Sequence, residues 1–362
     1  MVNVLDCLPY TSWSPSSKEH PLPSHIQRSF VSTPNGNLEL LICAPKHTSS
    51  KATPLIFIHG GFGSASVWID WMSYLYEYDY NGTIYAYSAR GHGASYPVSF
   101  YPMVYCTTLD DFASDLATTV HHITSQLEDG KEPILVAHSA GGALVQYALA
   151  NRMVSGSALC LVGSIPHFGG YDAFWNWTKM DPWMHARSLP LGFHPKCALV
   201  HPQLVHRALF SDKYPIEKVK EFMTWMAPYE SFGWATGVNG SFWKWLTGKN
   251  EWLDPLKILK SVNGWERPGD RVCVMVGSHD VPMDLKVARR QAGEFREVAR
   301  AMEFQASAEQ ERETREEDIP GVDSESMERV RLVIVQGAGH HVQNDIQQAA
   351  GAEALRRWIE QL

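Results

Sequence analysis

Charge is scarce in this chain, and what there is leans acidic. Charged residues make up 19% of the sequence, and 39 Asp and Glu against 31 Lys and Arg leave a net charge of -8. Most of that excess falls between Glu303 and Arg331. No basic face clusters in the rest, which excludes a nucleic-acid-binding surface. No stretch approaches the ~18 apolar residues of a membrane span, so no membrane partner is expected. The opening M-V-N-V-L-D-C-L-P-Y lacks a basic segment followed by an apolar one, and the closing E-Q-L is not S-K-L. Neither a secretory nor a peroxisomal signal is therefore expected. Cysteine is sparse and scattered: Cys7, Cys43, Cys106, Cys160, Cys197 and Cys273 form no C-x-x-C pair. Cys43, Cys160 and Cys273 sit in apolar runs and read as reduced core residues of a cytoplasmic protein. The histidines show no H-E-x-x-H or other tight ligand spacing, so no metal and no cofactor is expected. Neither G-K-[ST] nor G-x-G-x-x-G follows a strand, which leaves phosphate binding without support. There is no internal repeat.

What the chain does have is apolar content, 44% of it, and a rhythm. Its centre is the stretch from Pro133 to Ala150, P-I-L-V-A-H-S-A-G-G-A-L-V-Q-Y-A-L-A. Ile134 to Ala137 form a short apolar run, the pattern of a strand covered on both faces. From Gly142 the apolar residues continue at helical spacing. Between them, A137-H138-S139-A140-G141 sets one serine at a tight strand-to-helix turn, with small residues two positions to either side. Such a turn presents a hydroxyl above the sheet edge beside a helix N-terminus.

The same alternation recurs along the chain. Arg28–Thr33 and Leu38–Cys43 flank P-N-G-N, a hairpin signal. Leu55–Ile58 run into H59-G60-G61-F62-G63, and Thr83–Tyr87 into S-A-R-G-H-G-A-S. Helical periodicity covers Val67–Leu75 and Leu109–Leu127, and Ala158–Val162 form a further strand. After the Pro166–Trp265 stretch come a strand Arg271–Val276 ending in G-S-H-D, a helix Asp284–Ala301, a strand Val330–Val335 ending in Q-G-A-G-H-H, and a last helix over Asp345–Leu362. This predicts a mainly parallel sheet of the eight-stranded type with helices on both faces. Residues 1–165 and 266–362 form its two parts, with a surface arm over 1–25 and a charged surface loop over 303–329. Between them, residues 166–265 hold nine of the thirteen tryptophans (Trp175, Trp177, Trp183, Trp225, Trp234, Trp243, Trp245, Trp252, Trp265) and read as a helical insertion.

In parallel sheets ligands bind at the carboxyl ends of the strands. Ser139, His59-Gly60-Gly61, Asp280 and His340 all fall just after predicted strands. A serine hydroxyl becomes a nucleophile when an imidazole takes its proton, and the imidazole needs a carboxylate to fix its tautomer. His340, in a loop loosened by Gly337 and Gly339, is the expected base, with His341 second. Asp280 is the expected acid; Asp284 reads as a helix N-cap, and Asp172 is a weaker substitute. The backbone N–H of Ala140 should be one oxyanion donor, and that of Gly61, or failing it Phe62, the other. Losing one such donor costs ~10²–10³ in turnover. Arg90-Gly91-His92-Gly93 reads as a structural turn.

In their order, H59-G60-G61-F62-G63, R90-G91-H92-G93-A94-S95, A137-H138-S139-A140-G141, G277-S278-H279-D280 and G337-A338-G339-H340 resemble the α/β-hydrolase superfamily from about Ser29 to the C-terminus. Three further stretches, M103-V104-Y105-C106-T107-T108, Y229-E230-S231-F232 and G339-H340-H341-V342-Q343-N344-D345, are similar to a group of fungal members, some encoded in secondary-metabolite clusters. Ala137 departs from the commoner glycine of the elbow, and Ser88 stands where relatives often have Asp. The resemblance implies an α/β-hydrolase fold with the insertion as a lid over the active site. The lid's aromatics imply a bulky apolar small-molecule substrate, with His59, His138, Trp175, Trp183 and Trp234 expected around it. Ser139 at the apex sets the chain apart from similar epoxide hydrolases and haloalkane dehalogenases, which place an Asp there. The implied activity is hydrolysis of an ester or lactone, on a substrate of polyketide type, by a monomer or homodimer. Carbon–carbon cleavage or condensation by His340–Asp280 acid/base chemistry is the alternative, and a non-catalytic binder the third reading.

Overall fold

The computed structural model describes residues 2–47, 53–127, 131–239, 242–247, 252–303 and 319–362. Among them nine strands form one sheet: β1 Ile26–Thr33, β2 Gly36–Cys43, β3 Leu55–Ile58, β4 Ile84–Tyr87, β5 Ile134–His138, β6 Ala158–Val162, β7 Val272–Gly277, β8 Val322–Met327 and β9 Val330–Val335. Their spatial order is β1-β2-β4-β3-β5-β6-β7-β9-β8. The run from β4 through β9 pairs in parallel, while β1, β2 and β8 complete the edges in antiparallel register. Every residue of β3, β5, β6, β7 and β9 is buried. Their short, mostly apolar runs follow from that, since a strand covered on both faces has no polar side; the buried Arg331 of β9 is paired with Asp270 at 2.8 Å.

Alternate residues of these strands serve two cores. Ile56, Ile58, Leu135, Ala137, Leu159 and Leu161 point to one side, which the helices Leu109–Thr124, Ser139–Ala150 and Leu285–Glu303 cover. Leu55, Phe57, Ile134, Val136, Cys160 and Cys273 point to the other, against the helices Ile69–Glu77 and Gln348–Glu360. Thr108 starts its helix with a reciprocal capping box, its hydroxyl bound by the Asp111 N–H and its own N–H by the Asp111 carboxylate.

Two stretches differ from expectation. The charged loop expected over 303–329 holds the edge strand β8, so the eight-strand core gains a ninth strand; residues 304–318 lie outside the described residues. Its sequence V-D-S-E-S-M reads as loop because all but Val322 are exposed, and backbone pairing to β9 alone makes it a strand. The arm over 1–25 is also more than a surface segment. It carries a short helix, Val4–Cys7, whose Cys7 is buried against Leu191, Val200 and Leu204 of the insertion. The Lys18 N–H then donates to the Gly93 carbonyl (2.8 Å), tying the arm to the body.

Between β6 and β7 the described residues hold seven short α-helices and no strand. They carry their own apolar cluster of Leu199, Val205, Leu209, Phe210, Met223 and Met226, on which Phe62 of the body packs. No helix among the described residues is long and apolar enough to cross a membrane.

Candidate active site

The loops that follow β3, β5, β7 and β9 meet at one end of the sheet. Ser139 begins the helix after β5 and has φ +52°, a left-handed conformation that a non-glycine residue adopts only when its surroundings enforce it. Glycines allow the close approach. A Cβ on Gly141 would sit 2.1 Å from the His59 carbonyl oxygen, and one on Gly60 2.8 Å from Ser139 Cβ. Alanine at 137 is accommodated inside β5, fully buried between Ile58 of β3 and Leu161 of β6.

His340 Nε2 lies 2.9 Å from Ser139 Oγ, and its Nδ1 lies 2.9 Å from Asp280 Oδ2. With Nδ1 protonated toward the carboxylate, Nε2 is free to accept the serine proton. Asp280 Oδ1 accepts the Met283 N–H at 2.8 Å, which fixes the carboxylate's orientation. Burial pushes the Asp280 carboxyl up, against the pull of His340 and the N–H. Asp284 caps the following helix by accepting the Val287 N–H (3.0 Å), as expected. His341 turns away: its Nδ1 lies 3.1 Å from Asn344 Oδ1, and its ring packs on Phe210 and Phe222. Burial and the neighbouring His340 push its pKa down to about 3.

One residue of this arrangement carries no sequence signal. Gly163, just after β6, has φ +49°, and a Cβ there would lie 3.0 Å from Asp280 Oδ2 and 3.2 Å from His340 Nδ1. The acid–base pair rests on the space that this glycine leaves.

The donors expected for an oxyanion divide. Gly61 and Ala140 are half-buried and close: a Cβ on Gly61 would lie 4.0 Å from that of Ala140. Phe62 does not fit that role, because its N–H already donates to Glu230 Oε2 at 2.9 Å. Glu230 is a buried acid of the insertion, 168 residues away in sequence. Its Oε2 also faces His92 Nε2 at 3.0 Å, and its Oε1 accepts the Ser231 N–H at 2.9 Å. Burial alone would raise the Glu230 carboxyl, but His92 and the N–H donors leave it below its ordinary value. His92 is correspondingly raised, its burial outweighed by Glu230. Within the R-G-H-G turn, then, Arg90 is structural, bidentate on Asp115 at 2.7 and 2.8 Å, while His92 serves the site loop. Ser88 is also accounted for: it donates to the buried Glu39 carboxylate at 2.6 Å, which supplies from β2 the acid that Ser88 lacks.

Of the five side chains expected around the substrate, His59, His138 and Trp234 are buried and Trp175 and Trp183 are about half exposed. His59 is buried beneath its own loop, Nε2 accepting the Ala89 N–H at 3.0 Å and Nδ1 donating to the Gly60 carbonyl at 2.7 Å. Burial, with His92 nearby, pushes its pKa down to about 3. His138 is buried, its Nε2 3.1 Å from the His340 carbonyl, and burial holds it well below its ordinary value. Trp234 is buried against Phe112 at 4.4 Å. Trp175 and Trp183 are about half exposed, Trp183 in a surface cavity with Met180, Asp181 and Arg207. Tryptophan's size makes it a good packing residue as well as a good pocket wall, and sequence alone does not separate the two.

The His340 loop is also held by the insertion. Asp345, buried, accepts N–H groups from Gly339 (2.8 Å) and Ser211 (2.7 Å), and the His341 N–H donates to the Leu209 carbonyl (2.8 Å). Among the described residues no three His, Cys, Asp or Glu gather as metal ligands would.

Comparison with known proteins fits this geometry. The enol-lactonase from Burkholderia xenovorans LB400 aligns at a TM-score of 0.56 and 14% identity, over 92% of this chain and 100% of its own. The carboxylesterase CesB (YbfK) from Bacillus subtilis aligns at 0.54 and 15%, over 98% and 95% of the two chains. A thermophilic esterase from Thermogutta terrifontis aligns at 0.54 and 16%, over 92% and 98%. At such identities these likenesses speak for the fold. No curated protein matches the chain. The alpha/beta hydrolase family profile matches residues 55–353, which runs from β3 into the last helix and takes in every loop described above. The chain belongs to the alpha/beta hydrolase family and is an enzyme of it.

Proposed function

We propose that the protein is a serine hydrolase that cleaves an ester or lactone of a bulky hydrophobic small molecule. The observation that carries this reading is the relay of two 2.9 Å contacts, Ser139 to His340 to Asp280, built on a serine in a strained conformation. Ser139 Oγ attacks the carbonyl carbon while His340 Nε2 takes its proton. Asp280 stabilises the imidazolium and holds the ring in place. The oxyanion forms between the N–H groups of Gly61 and Ala140, the latter at a helix N-terminus. Collapse expels the alcohol, which takes the proton from His340, and leaves an acyl-Ser139. Water then attacks the acyl carbon, giving its proton to His340, and collapse releases the acid as Ser139 Oγ takes that proton back.

The esterases and the lactonase among the structural neighbours support ester chemistry over the other reactions of the fold. A hydrophobic substrate is supported by the apolar cluster of the insertion, Leu199, Val205, Leu209, Phe210, Met223 and Met226, on which Phe62 beside Gly61 packs, with the insertion as the lid. Polyketide-type esters and lactones are the first substrates to try. The six cysteines are unpaired, which suits a reducing cytoplasm. Replacing Ser139 with Ala should lower kcat by about 10⁴-fold or more while substrate still binds. Full turnover by Ser139→Ala would instead assign the reaction to His340–Asp280 proton transfer, the chemistry of carbon–carbon cleavage or condensation.

A further inference from the structure

The Gly60–Gly63 segment is a turn closed by the Gly63 N–H donating to the Gly60 carbonyl at 3.1 Å. Phe62 occupies its third position with φ +60°, where turns of this kind ordinarily take glycine. A phenylalanine there is strained and stays only where its surroundings hold it.

The insertion holds it from both sides. The Phe62 carbonyl accepts the Ala227 N–H at 2.9 Å, and the Phe62 N–H donates to Glu230 Oε2 at 2.9 Å. Glu230 is itself fixed. Its Oε1 takes the Ser231 N–H, and its Oε2 takes His92 Nε2. The other nitrogen of His92 lies 2.8 Å from the Arg90 carbonyl oxygen. Both ring nitrogens therefore face oxygens, and beside an ionised Glu230 the imidazolium satisfies both. A buried ion pair thus stands behind the Phe62 N–H. Gly61, the neighbouring oxyanion donor, has no side chain by which it could be held, so its N–H points where the peptide units around Phe62 are set.

We propose that Glu230 is a positioning residue for the oxyanion hole: by binding the Phe62 N–H it aligns the Gly61 donor with Ser139, and that alignment exists only while the insertion is docked. This rests on the reading of Ser139 as the nucleophile. It also makes the insertion a working part of the catalytic apparatus, in addition to any role as a substrate cover.

The test compares wild type with Glu230→Gln, which keeps the reach to Phe62 and loses the charge, Glu230→Asp, which keeps the charge and loses the reach, and Glu230→Ala. Two quantities are read on folded protein: kcat and KM for a short 4-nitrophenyl ester, and the rate of Ser139 labelling by a fluorophosphonate, whose phosphoryl oxygen uses the same donors. Glu230→Ala is expected to lose about 10²-fold in kcat and in labelling rate with KM nearly unchanged, the cost of one oxyanion donor. Glu230→Asp should lose about 10-fold or more, and Glu230→Gln, which keeps one oxygen for the Phe62 N–H but turns its NH2 toward the Ser231 N–H, should fall between wild type and Glu230→Ala. Wild-type rates in Glu230→Asp and Glu230→Ala would overturn the proposal. So would a loss in Glu230→Gln as large as in Glu230→Ala, or a loss confined to KM. If Glu230→Ala does not fold, the Asp and Gln variants carry the comparison alone. Absence of any Ser139 adduct in wild type would overturn the serine-hydrolase reading and this inference with it. An adduct formed equally fast in all four proteins would overturn this inference alone.

Discussion

The sheet and the insertion contribute to one site in different ways. The sheet supplies the groups of the proposed relay and oxyanion hole, each on a loop just past a buried strand: Ser139 after β5, Asp280 after β7, His340 after β9 and Gly61 after β3. The insertion holds those loops, Glu230 and Ala227 on Phe62, Ser211 and Leu209 on the His340 loop. Reactive groups are thus placed by short-range chain geometry, and their alignment by contacts far apart in sequence. Chemistry can be shared by many members of a fold, while alignment belongs to the particular insertion.

The largest effect that separates the two regions should come from acid. His59 and His341 are held near pKa 3 and His138 well below its ordinary value, all three buried in the body at the site. The folded state therefore binds fewer protons than the unfolded one below the ordinary value of 6.5, so stability is full above that pH and falls as pH drops through the range between 6.5 and the folded values. Two pH units below 6.5, His59 and His341 each cost about 2.7 kcal/mol. Together they would take a large share of a typical 5–15 kcal/mol of stability, and His138 acts in the same direction. Urea unfolding at about pH 7 and about pH 4.5 measures this; an unchanged midpoint would mean that these rings are not kept neutral.

Next in size is a contrast between tryptophans. Trp234→Ala removes a buried ring packed on Phe112 and should cost about 3–5 kcal/mol. Trp175→Ala, at an exposed position of the same insertion, should stay within about 0.5 kcal/mol. Equal losses from thermal unfolding of the two variants would erase the distinction between core and surface aromatics in the insertion.

The smallest concerns the floor of the site. Gly163→Ala puts a Cβ at 3.0 Å from Asp280 Oδ2 and forces alanine into φ +49°. Kinetics should show kcat lower by about 10-fold, from misplacement of the acid–base pair, with a loss of about 1–2 kcal/mol in stability. A variant as active as wild type would show that the pair tolerates displacement.

How far the sequence revealed this follows the same division. Leu55–Ile58, Ala158–Val162 and Val330–Val335 are strands at the residues their apolar runs mark, because burial on both faces leaves no other pattern possible. The residues of the Ser139–His340–Asp280 relay were legible for the same reason, as polar residues placed just past such runs. Gly163 was not, since its role depends on what crosses above it. Glu230 lies in a stretch whose acid stands out among aromatics, yet nothing local says that it meets Phe62 168 residues away. The strand β8 was masked by its own exposure, and the tryptophans by serving packing and pocket equally well.

The most direct measurement is mass spectrometry of the peptide that carries Ser139 after reaction with a fluorophosphonate or a slowly turned-over ester. A stoichiometric adduct on Ser139, lost in His340→Ala, is the predicted result. An unmodified Ser139 in protein that turns over the ester would contradict the account.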